Sequence, residues 1–190
     1  MTQGKSADFI LEFDESVLFF ECKATEYTFD TRTRNALASS NFVRKIGRGV
    51  AQIGETIDSL TDTGFVGDRR CLGFVVTLGD TFHPNAPEFQ RMITNQIADE
   101  NNAERLRSGQ IQIMPIRILE QFVAAILHLQ KSPIEIFEEK KAHPDRGYGD
   151  WSWFLRKELE LDMNVLLQLL TPPMEAADEF YEEIEAAMST

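Results

Sequence analysis

The chain opens with two apolar segments separated by a short polar stretch, and this pattern predicts a β-hairpin at the start of the fold. Residues 8–13 read DFILEF and residues 17–24 read VLFFECKA, with the polar residues 14–16 between them. Short runs rich in Phe, Ile, Leu and Val that flank a polar turn are typical of paired β-strands. The length of the turn fixes which side chains of the two strands face each other, so the hairpin constrains where the residues of a site on these strands can lie.

The length of the turn decides the partner of Asp8. A two-residue turn places Asp8 directly opposite Glu21, and a three-residue turn places it opposite Cys22. In either register two carboxylates lie at the same end of neighbouring strands, where opposed β-carbons are about 5 Å apart and like charges repel. A divalent cation with a preference for oxygen ligands, such as Mg²⁺, would convert this repulsion into a binding site.

The second strand carries two charges on one face. Strand side chains alternate between faces, so Glu21 and Lys23 share a face with Val17 and Phe19. Charged residues on such an apolar strand are unusual and call for a functional explanation. A lysine beside a metal can orient an attacking water and offset negative charge that develops on a phosphate.

The remaining pattern predicts an α/β layer followed by helices. A polar loop over residues 25–41 precedes a helix at 42–60. Gly47, Gly49 and Gly54 weaken this helix, but their lack of a side chain keeps its surface close to the backbone at those positions. The apolar run 71–78 predicts a central strand covered on both faces. After a turn at 79–87, the sequence predicts a helix at 88–107 and a strand at 111–118, which Pro115 restricts to an edge strand or a bulged strand. Helices are predicted at 120–129, 133–141, 151–158, 162–170 and 173–188.

Composition narrows the class of protein. The chain has 190 residues with 43% hydrophobic content, enough for a domain with its own core. No apolar run reaches the roughly 20 residues that a transmembrane helix needs, and no secretory signal is visible, so we expect no membrane partner. Two cysteines without a CxxC pattern exclude a disulfide framework and favour a reducing, cytoplasmic setting.

The net charge of −12 argues against a protein that coats nucleic acid, but the charge is unevenly distributed. The C-terminal stretch is acidic, whereas basic residues cluster in the first half of the chain. These candidates for contacts with a phosphate backbone are Arg32, Arg34, Arg44, Lys45 and Arg48. The alternative interpretation is a solvated loop and helix face.

The motif as a whole resembles the PD-(D/E)xK, or restriction-endonuclease-like, nuclease superfamily. The matching segments are SADFILE around Asp8, LFFECK with Glu21 and Lys23, and GVAQIGE with Gln52. They cover roughly residues 5–80. The resemblance implies a restriction-endonuclease-like mixed sheet flanked by helices, over residues 1–118, followed by a helical C-terminal subdomain over residues 119–190.

The resemblance also implies roles for individual residues. Asp8, Glu21 and the Cys22 carbonyl would bind Mg²⁺ or Mn²⁺, and Lys23 would serve the attacking water. Gln52 corresponds to a polar helix residue that faces the site in several families, although Glu55 lies on a neighbouring part of the same helix face. The implied activity is hydrolysis of phosphodiester bonds, with DNA as the expected substrate.

Two further expectations concern the context of the domain. The superfamily fold usually begins with a helix and a strand before the strand that carries the Asp, whereas seven residues precede Asp8. We therefore expect either a larger parent chain, such as a restriction or defence protein, or a homo-oligomer that completes the sheet. A nuclease-like domain that binds nucleic acid or protein without cutting, and an unrelated α/β interaction domain, are the alternatives.

Overall fold

The computed structural model describes residues 6–25, 36–79, 85–142 and 151–157, with the backbone alone for 36–40. The helices predicted at 162–170 and 173–188 lie outside this part of the chain. The described residues form the strands β1 (Phe9–Glu12), β2 (Ser16–Lys23), β3 (Arg70–Thr77) and β4 (Ile111–Pro115). They also form the helices α1 (Ala36–Asp62), α2 (Pro87–Thr94), α3 (Glu100–Arg107), α4 (Ile116–Leu129), α5 (Pro133–Ala142) and α6 (Trp151–Lys157).

The strands form one mixed sheet in the order β1-β2-β3-β4. The first two strands are antiparallel, and β2, β3 and β4 are parallel to one another. Parallel neighbours require a crossover, which α1 provides between β2 and β3, and α2 with α3 provide between β3 and β4. The predicted α/β class with a mixed sheet and flanking helices is therefore confirmed.

The hairpin has the two-residue turn. Phe9 pairs with Phe20 and Glu12 pairs with Val17, and the Phe13 N–H donates to the Ser16 carbonyl over 2.8 Å. Continued by one residue, this register places Asp8 opposite Glu21.

Helices cover both faces of the sheet. Val17 and Phe19 of β2 pack into a core cluster with α1, while Leu18 and Phe20 pack into a second cluster on the opposite face. The second cluster contains residues of α4, α5 and α6, including the buried Trp151. Six consecutive residues of β3 are buried, which agrees with the central strand predicted there.

The two edge strands are protected to different degrees. The buried side chain of Asn85 donates to the Ile113 carbonyl and accepts from the Ile113 N–H, both over 2.9 Å, and so occupies the outer edge of β4. The prediction of an edge strand at Pro115 is confirmed. At the other edge, Phe9 and Leu11 of β1 are 63% and 50% exposed.

Three predicted boundaries were wrong. Helix α1 begins at Ala36, inside the predicted loop 25–41, because Ala and Leu favour a helix even without an apolar period. The helix predicted at 88–107 is two helices, since the Asp99 carboxylate accepts from the Asn102 N–H and caps a new helix. The strand predicted at 111–118 ends at Pro115, which has extended backbone angles and precedes α4 directly.

Candidate functional site

The candidate site lies where the carboxyl end of β2 meets the middle of α1. Glu21 is buried, with 3% of its surface exposed, and Lys23 is partly buried two residues later. Both project toward α1, on the face that Val17 and Phe19 also occupy. This agrees with the strand alternation predicted from the sequence.

Lys23 joins the strand to the helix. Its Nζ atom donates hydrogen bonds to Glu21 Oε1 and, over 2.7 Å, to Gln52 Oε1. Gln52 of α1 therefore faces the site, while Glu55, the alternative on the same helix, is exposed to solvent. The ammonium group offsets the charge of a carboxylate that is otherwise removed from water.

A glycine on α1 makes room for the lysine. A β-carbon built on Gly49 would lie 3.1 Å from Lys23 Cε and 3.0 Å from Val75 Cγ1. Such distances are shorter than ordinary van der Waals contact. The helix therefore lies against the Lys23 stem only because position 49 has no side chain.

Asp8 approaches from the neighbouring strand. Its carboxylate is exposed, and its Oδ2 atom accepts a hydrogen bond of 2.8 Å from the Cys22 N–H. This N–H belongs to the peptide unit that connects Glu21 to Cys22, so Asp8 is hydrogen-bonded to the backbone directly after Glu21. The structure brings Asp8, Glu21, Lys23 and Gln52 to one end of the sheet.

The pKa of the Cys22 thiol is affected by the charged groups of the site. The thiol is exposed, and its pKa lies above the ordinary value because of partial burial and the nearby carboxylates of Asp8 and Glu21. The ammonium group of Lys23 acts in the opposite direction. The predicted metal ligand at this residue is the backbone carbonyl, and that role stays a prediction.

The donor set suits a hard cation. Glu21 Oε2 is a buried carboxylate oxygen that has no hydrogen-bond partner among the described residues, an arrangement that costs free energy unless a ligand binds there. Asp8 supplies a second carboxylate across the hairpin, and Mg²⁺ and Mn²⁺ both prefer such oxygen ligands. Among the residues that the structure describes, no three His, Cys, Asp or Glu side chains gather in one metal-binding group.

Three of the five predicted phosphate-binding residues lie on α1, the helix that carries Gln52. Arg44, Lys45 and Arg48 are exposed on the N-terminal half of α1, and Arg44 donates to Asn41 Oδ1 over 2.9 Å. Arg32 and Arg34 lie outside the described residues.

Thr56, a buried residue of α1, is not among the residues that the sequence predicts for the site. The Ala7 N–H donates to Thr56 Oγ1 over 2.8 Å, although the two residues are 49 positions apart in the chain. No local pattern indicates this contact. The only hint was the spacing, since Thr56 lies one helical turn beyond Gln52.

Comparison of the chain with protein-family models, with curated proteins and with solved structures found no match in any of the three. Within the described ranges, no helix combines the length and the apolar character needed to cross a membrane.

Proposed function

We propose that this chain is a Mg²⁺- or Mn²⁺-dependent nuclease with a restriction-endonuclease-like fold of the PD-(D/E)xK type. It would hydrolyse phosphodiester bonds, with DNA as the expected substrate. The observation that carries the proposal is the buried Oε2 atom of Glu21, which has no hydrogen-bond partner among the described residues and belongs to the carboxylate that pairs with Lys23.

The sheet order supports the fold assignment. The strand that follows Asp8 is antiparallel to the strand that carries Glu21 and Lys23, and α1 then leads to a parallel β3. Gln52 on α1 contacts the lysine, as the resemblance implied. The contacts that support the assignment are those of Lys23 with Glu21 and Gln52, and that of Asp8 with the Cys22 N–H.

The chain supplies a distinct chemical role at each position. Asp8, Glu21 and the Cys22 carbonyl would hold the cation, which supplies Lewis-acid polarisation of a phosphoryl oxygen when bound. Lys23, held by Gln52, would orient the attacking water and stabilise negative charge on the phosphate.

The charge pattern of α1 supports an approach of the substrate from one side. Lys45, Arg48 and Gln52 are spaced by three and four residues, so they share a face of the helix. The C-terminal half of the helix instead carries acids, among them Glu55 and Asp62. A phosphate backbone would therefore lie along the N-terminal half of α1.

A nuclease assay with purified protein tests the proposal. We expect cleavage of DNA that requires Mg²⁺ or Mn²⁺ and that is lost in Glu21→Ala and Lys23→Ala. Glu12→Gln, which changes an exposed acid of β1 on the same hairpin, should cleave like the wild type. Cleavage that persists in both site variants would show that other residues carry the activity.

Metal binding can be measured without a substrate. Mn²⁺ at 100 times its Kd should stabilise the wild-type fold by about 2.7 kcal/mol, and so raise its Tm. Asp8→Ala should lose most of this gain, whereas Asp14→Ala, at the turn of the same hairpin, should keep it. An equal gain in Asp8→Ala would exclude Asp8 as a ligand.

The second candidate function is a nuclease-like module that binds nucleic acid or protein without cutting. It is favoured by one observation: among the described residues, no three His, Cys, Asp or Glu side chains form a group that could hold a metal ion. DNA binding that survives in Lys23→Ala, together with no cleavage by the wild type in either metal, would select this function.

A further inference from the structure

We propose that Thr56 is a positioning residue of this site, whose hydroxyl holds Ala7 so that Asp8 stays opposite Glu21 and the Cys22 carbonyl is kept out of the hairpin ladder. The inference rests on the proposed metal-dependent nuclease function and adds a residue to it. Thr56 would contact neither the substrate nor the metal, and would act through the backbone groups of Ala7 and Gln52 to which its hydroxyl is hydrogen-bonded.

The Thr56 hydroxyl takes part in two hydrogen bonds. It donates to the Gln52 carbonyl over 2.7 Å, a bond that threonine often makes within a helix. It also accepts from the Ala7 N–H over 2.8 Å, and this second bond joins the beginning of the hairpin to α1. Both Thr56 and Ala7 are buried, so water is a poor substitute for either partner.

The register of the hairpin shows what the second bond replaces. Opposed residues in an antiparallel ladder alternate between pairs that exchange backbone hydrogen bonds and pairs that do not. Phe13 and Ser16 form a bonded pair. Bonded positions recur at every second residue along the strands, so the position of Ala7 opposite Cys22 is also a hydrogen-bonding one.

The backbone of Ala7 and Cys22 does not make that exchange. The Ala7 N–H is directed to Thr56, and the Cys22 N–H is directed to Asp8 Oδ2. The strand β1 accordingly begins only at Phe9. The Cys22 carbonyl, whose ladder partner would be the Ala7 N–H, therefore lacks that partner.

The neighbouring position gains from the same arrangement. By the same count, Asp8 and Glu21 fall at a position of the non-bonded type, where opposed side chains in a ladder approach most closely. Because Asp8 precedes the first residue of β1, the ladder alone does not fix its backbone. The bond from Ala7 to Thr56 fixes it against the helix instead.

One turn of α1 then serves both halves of the site. The carbonyl of Gln52 receives the Thr56 hydroxyl, and the side chain of Gln52 receives Lys23. The Asp8 ligand and the Lys23 ammonium group are therefore positioned from the same turn of helix. A loss of the Thr56 hydroxyl should weaken metal binding without removing any ligand.

The test uses three variants of Thr56 and a matched control on the same helix. Thr56→Val keeps the shape and removes the hydroxyl, Thr56→Ala removes it without adding a methyl group, and Thr56→Ser keeps it. Thr61→Val is the control, because the Thr61 hydroxyl donates to the carbonyl four residues earlier over 2.7 Å but has no part in the hairpin. The Kd for Mn²⁺ is measured by electron paramagnetic resonance.

We expect the Kd for Mn²⁺ to rise about tenfold in Thr56→Val and Thr56→Ala, in the range typical of residues that orient metal ligands. Thr56→Ser and Thr61→Val should stay within about twofold of the wild type, as for a retained or an unrelated hydroxyl. A second readout needs no metal: hydrogen exchange of the Ala7 amide should accelerate in Thr56→Val and not in Thr61→Val.

The outcomes separate the inference from the proposed function. A wild-type protein that binds no Mn²⁺ overturns both. A wild-type protein that binds Mn²⁺, together with Thr56→Val binding it equally well and protecting the Ala7 amide equally well, overturns the role of Thr56 alone.

Discussion

Lys23 Nζ and Gln52 Oε1 are joined by a hydrogen bond of 2.7 Å that connects the end of β2 to the middle of α1. The same ammonium group is the ion-pair partner of the buried Glu21 carboxylate. Lys23 therefore compensates a buried charge and, under the proposed function, would also assist the attacking water. These roles can be separated by measuring stability and activity in the same variants.

The first prediction concerns the stability of Lys23→Met. Removal of the ammonium group leaves Glu21 buried without a counter-charge, so the free energy of unfolding without metal should fall by about 3 kcal/mol. Mn²⁺ should then raise the Tm of the variant more than that of the wild type, because the cation replaces the lost positive charge. Chemical denaturation with and without Mn²⁺ measures both effects.

Lys131→Met is the matched control for this prediction. Lys131 pairs with Glu139 at the surface, where both side chains are more than a third exposed. Such pairs contribute less than about 1 kcal/mol, and Mn²⁺ should not favour this variant over the wild type. If Lys23→Met is as stable as Lys131→Met, the Glu21–Lys23 pair has no special energetic role.

The second prediction compares two glycines of α1. In Gly49→Ala the new β-carbon contacts the Lys23 stem, and the displaced ammonium group should lower the cleavage rate on the order of tenfold, as small misplacements of catalytic groups do. In Gly47→Ala the nearest atom is 3.4 Å away, at Gln96. This variant should cleave normally and gain up to about 1 kcal/mol of helix stability.

The comparison needs only cleavage rates and denaturation curves of the two variants. Equal rates for Gly49→Ala and Gly47→Ala would show that Lys23 tolerates the extra methyl group. A loss of both cleavage rate and fold in Gly49→Ala would point instead to the contact with Val75. A near-ultraviolet circular dichroism spectrum of Gly49→Ala that matches the wild type would show that the fold is intact.

Several features of the site follow from the sequence because they depend on short-range geometry. Turn length predicts that Asp8 opposes Glu21 after a two-residue turn or Cys22 after a three-residue turn, and strand alternation predicts that Lys23 shares the face of Glu21. The hairpin register is that of the two-residue turn, and the contacts of Lys23 agree with the alternation. These rules involve residues that are close together in the chain, so no knowledge of the packing was needed.

Other features depend on contacts that no local rule specifies. The bond between Ala7 and Thr56 exists only because α1 packs against the beginning of the hairpin. Likewise, the break between α2 and α3 depends on Asp99 adopting a cap instead of continuing a helix whose apolar spacing runs through it. Packing and side-chain competition with the backbone decide such cases.

The third prediction concerns the pH dependence of Cys22. The Asp8 carboxylate raises the pKa of this thiol, so Asp8→Asn should lower that pKa and shift alkylation by iodoacetamide to lower pH. At a fixed pH near 8 the variant should therefore react faster than the wild type. Mass spectrometry of the peptide that contains Cys22 gives the rate.

Cys71 is an internal control in the same molecule. Its pKa is raised by burial and lowered by Arg105 and Arg69, with no contribution from Asp8. Its alkylation should be the same in both proteins. An unchanged pH profile for Cys22 would mean that Asp8 lies farther from the end of β2 than the hydrogen bond to the Cys22 N–H requires.

The fourth prediction tests the basic half of α1 as the binding surface for the phosphate backbone. Arg48→Gln removes one positive charge from the exposed face that also carries Lys45 and Gln52. If Arg48 contacts a phosphate, the slope of log K against log salt for duplex DNA should decrease in magnitude by about 0.9. The loss of affinity should be similar for unrelated DNA sequences, since phosphate contacts carry no base information.

Arg156→Gln is the control for this change, because Arg156 is equally exposed but belongs to α6 on the opposite face of the sheet. Binding is measured by fluorescence anisotropy in EDTA, so that cleavage cannot consume the DNA. A parallel loss of affinity in both variants would indicate a general effect of net charge. A salt slope that changes only in Arg48→Gln would place the DNA over the N-terminal half of α1, within reach of Lys23.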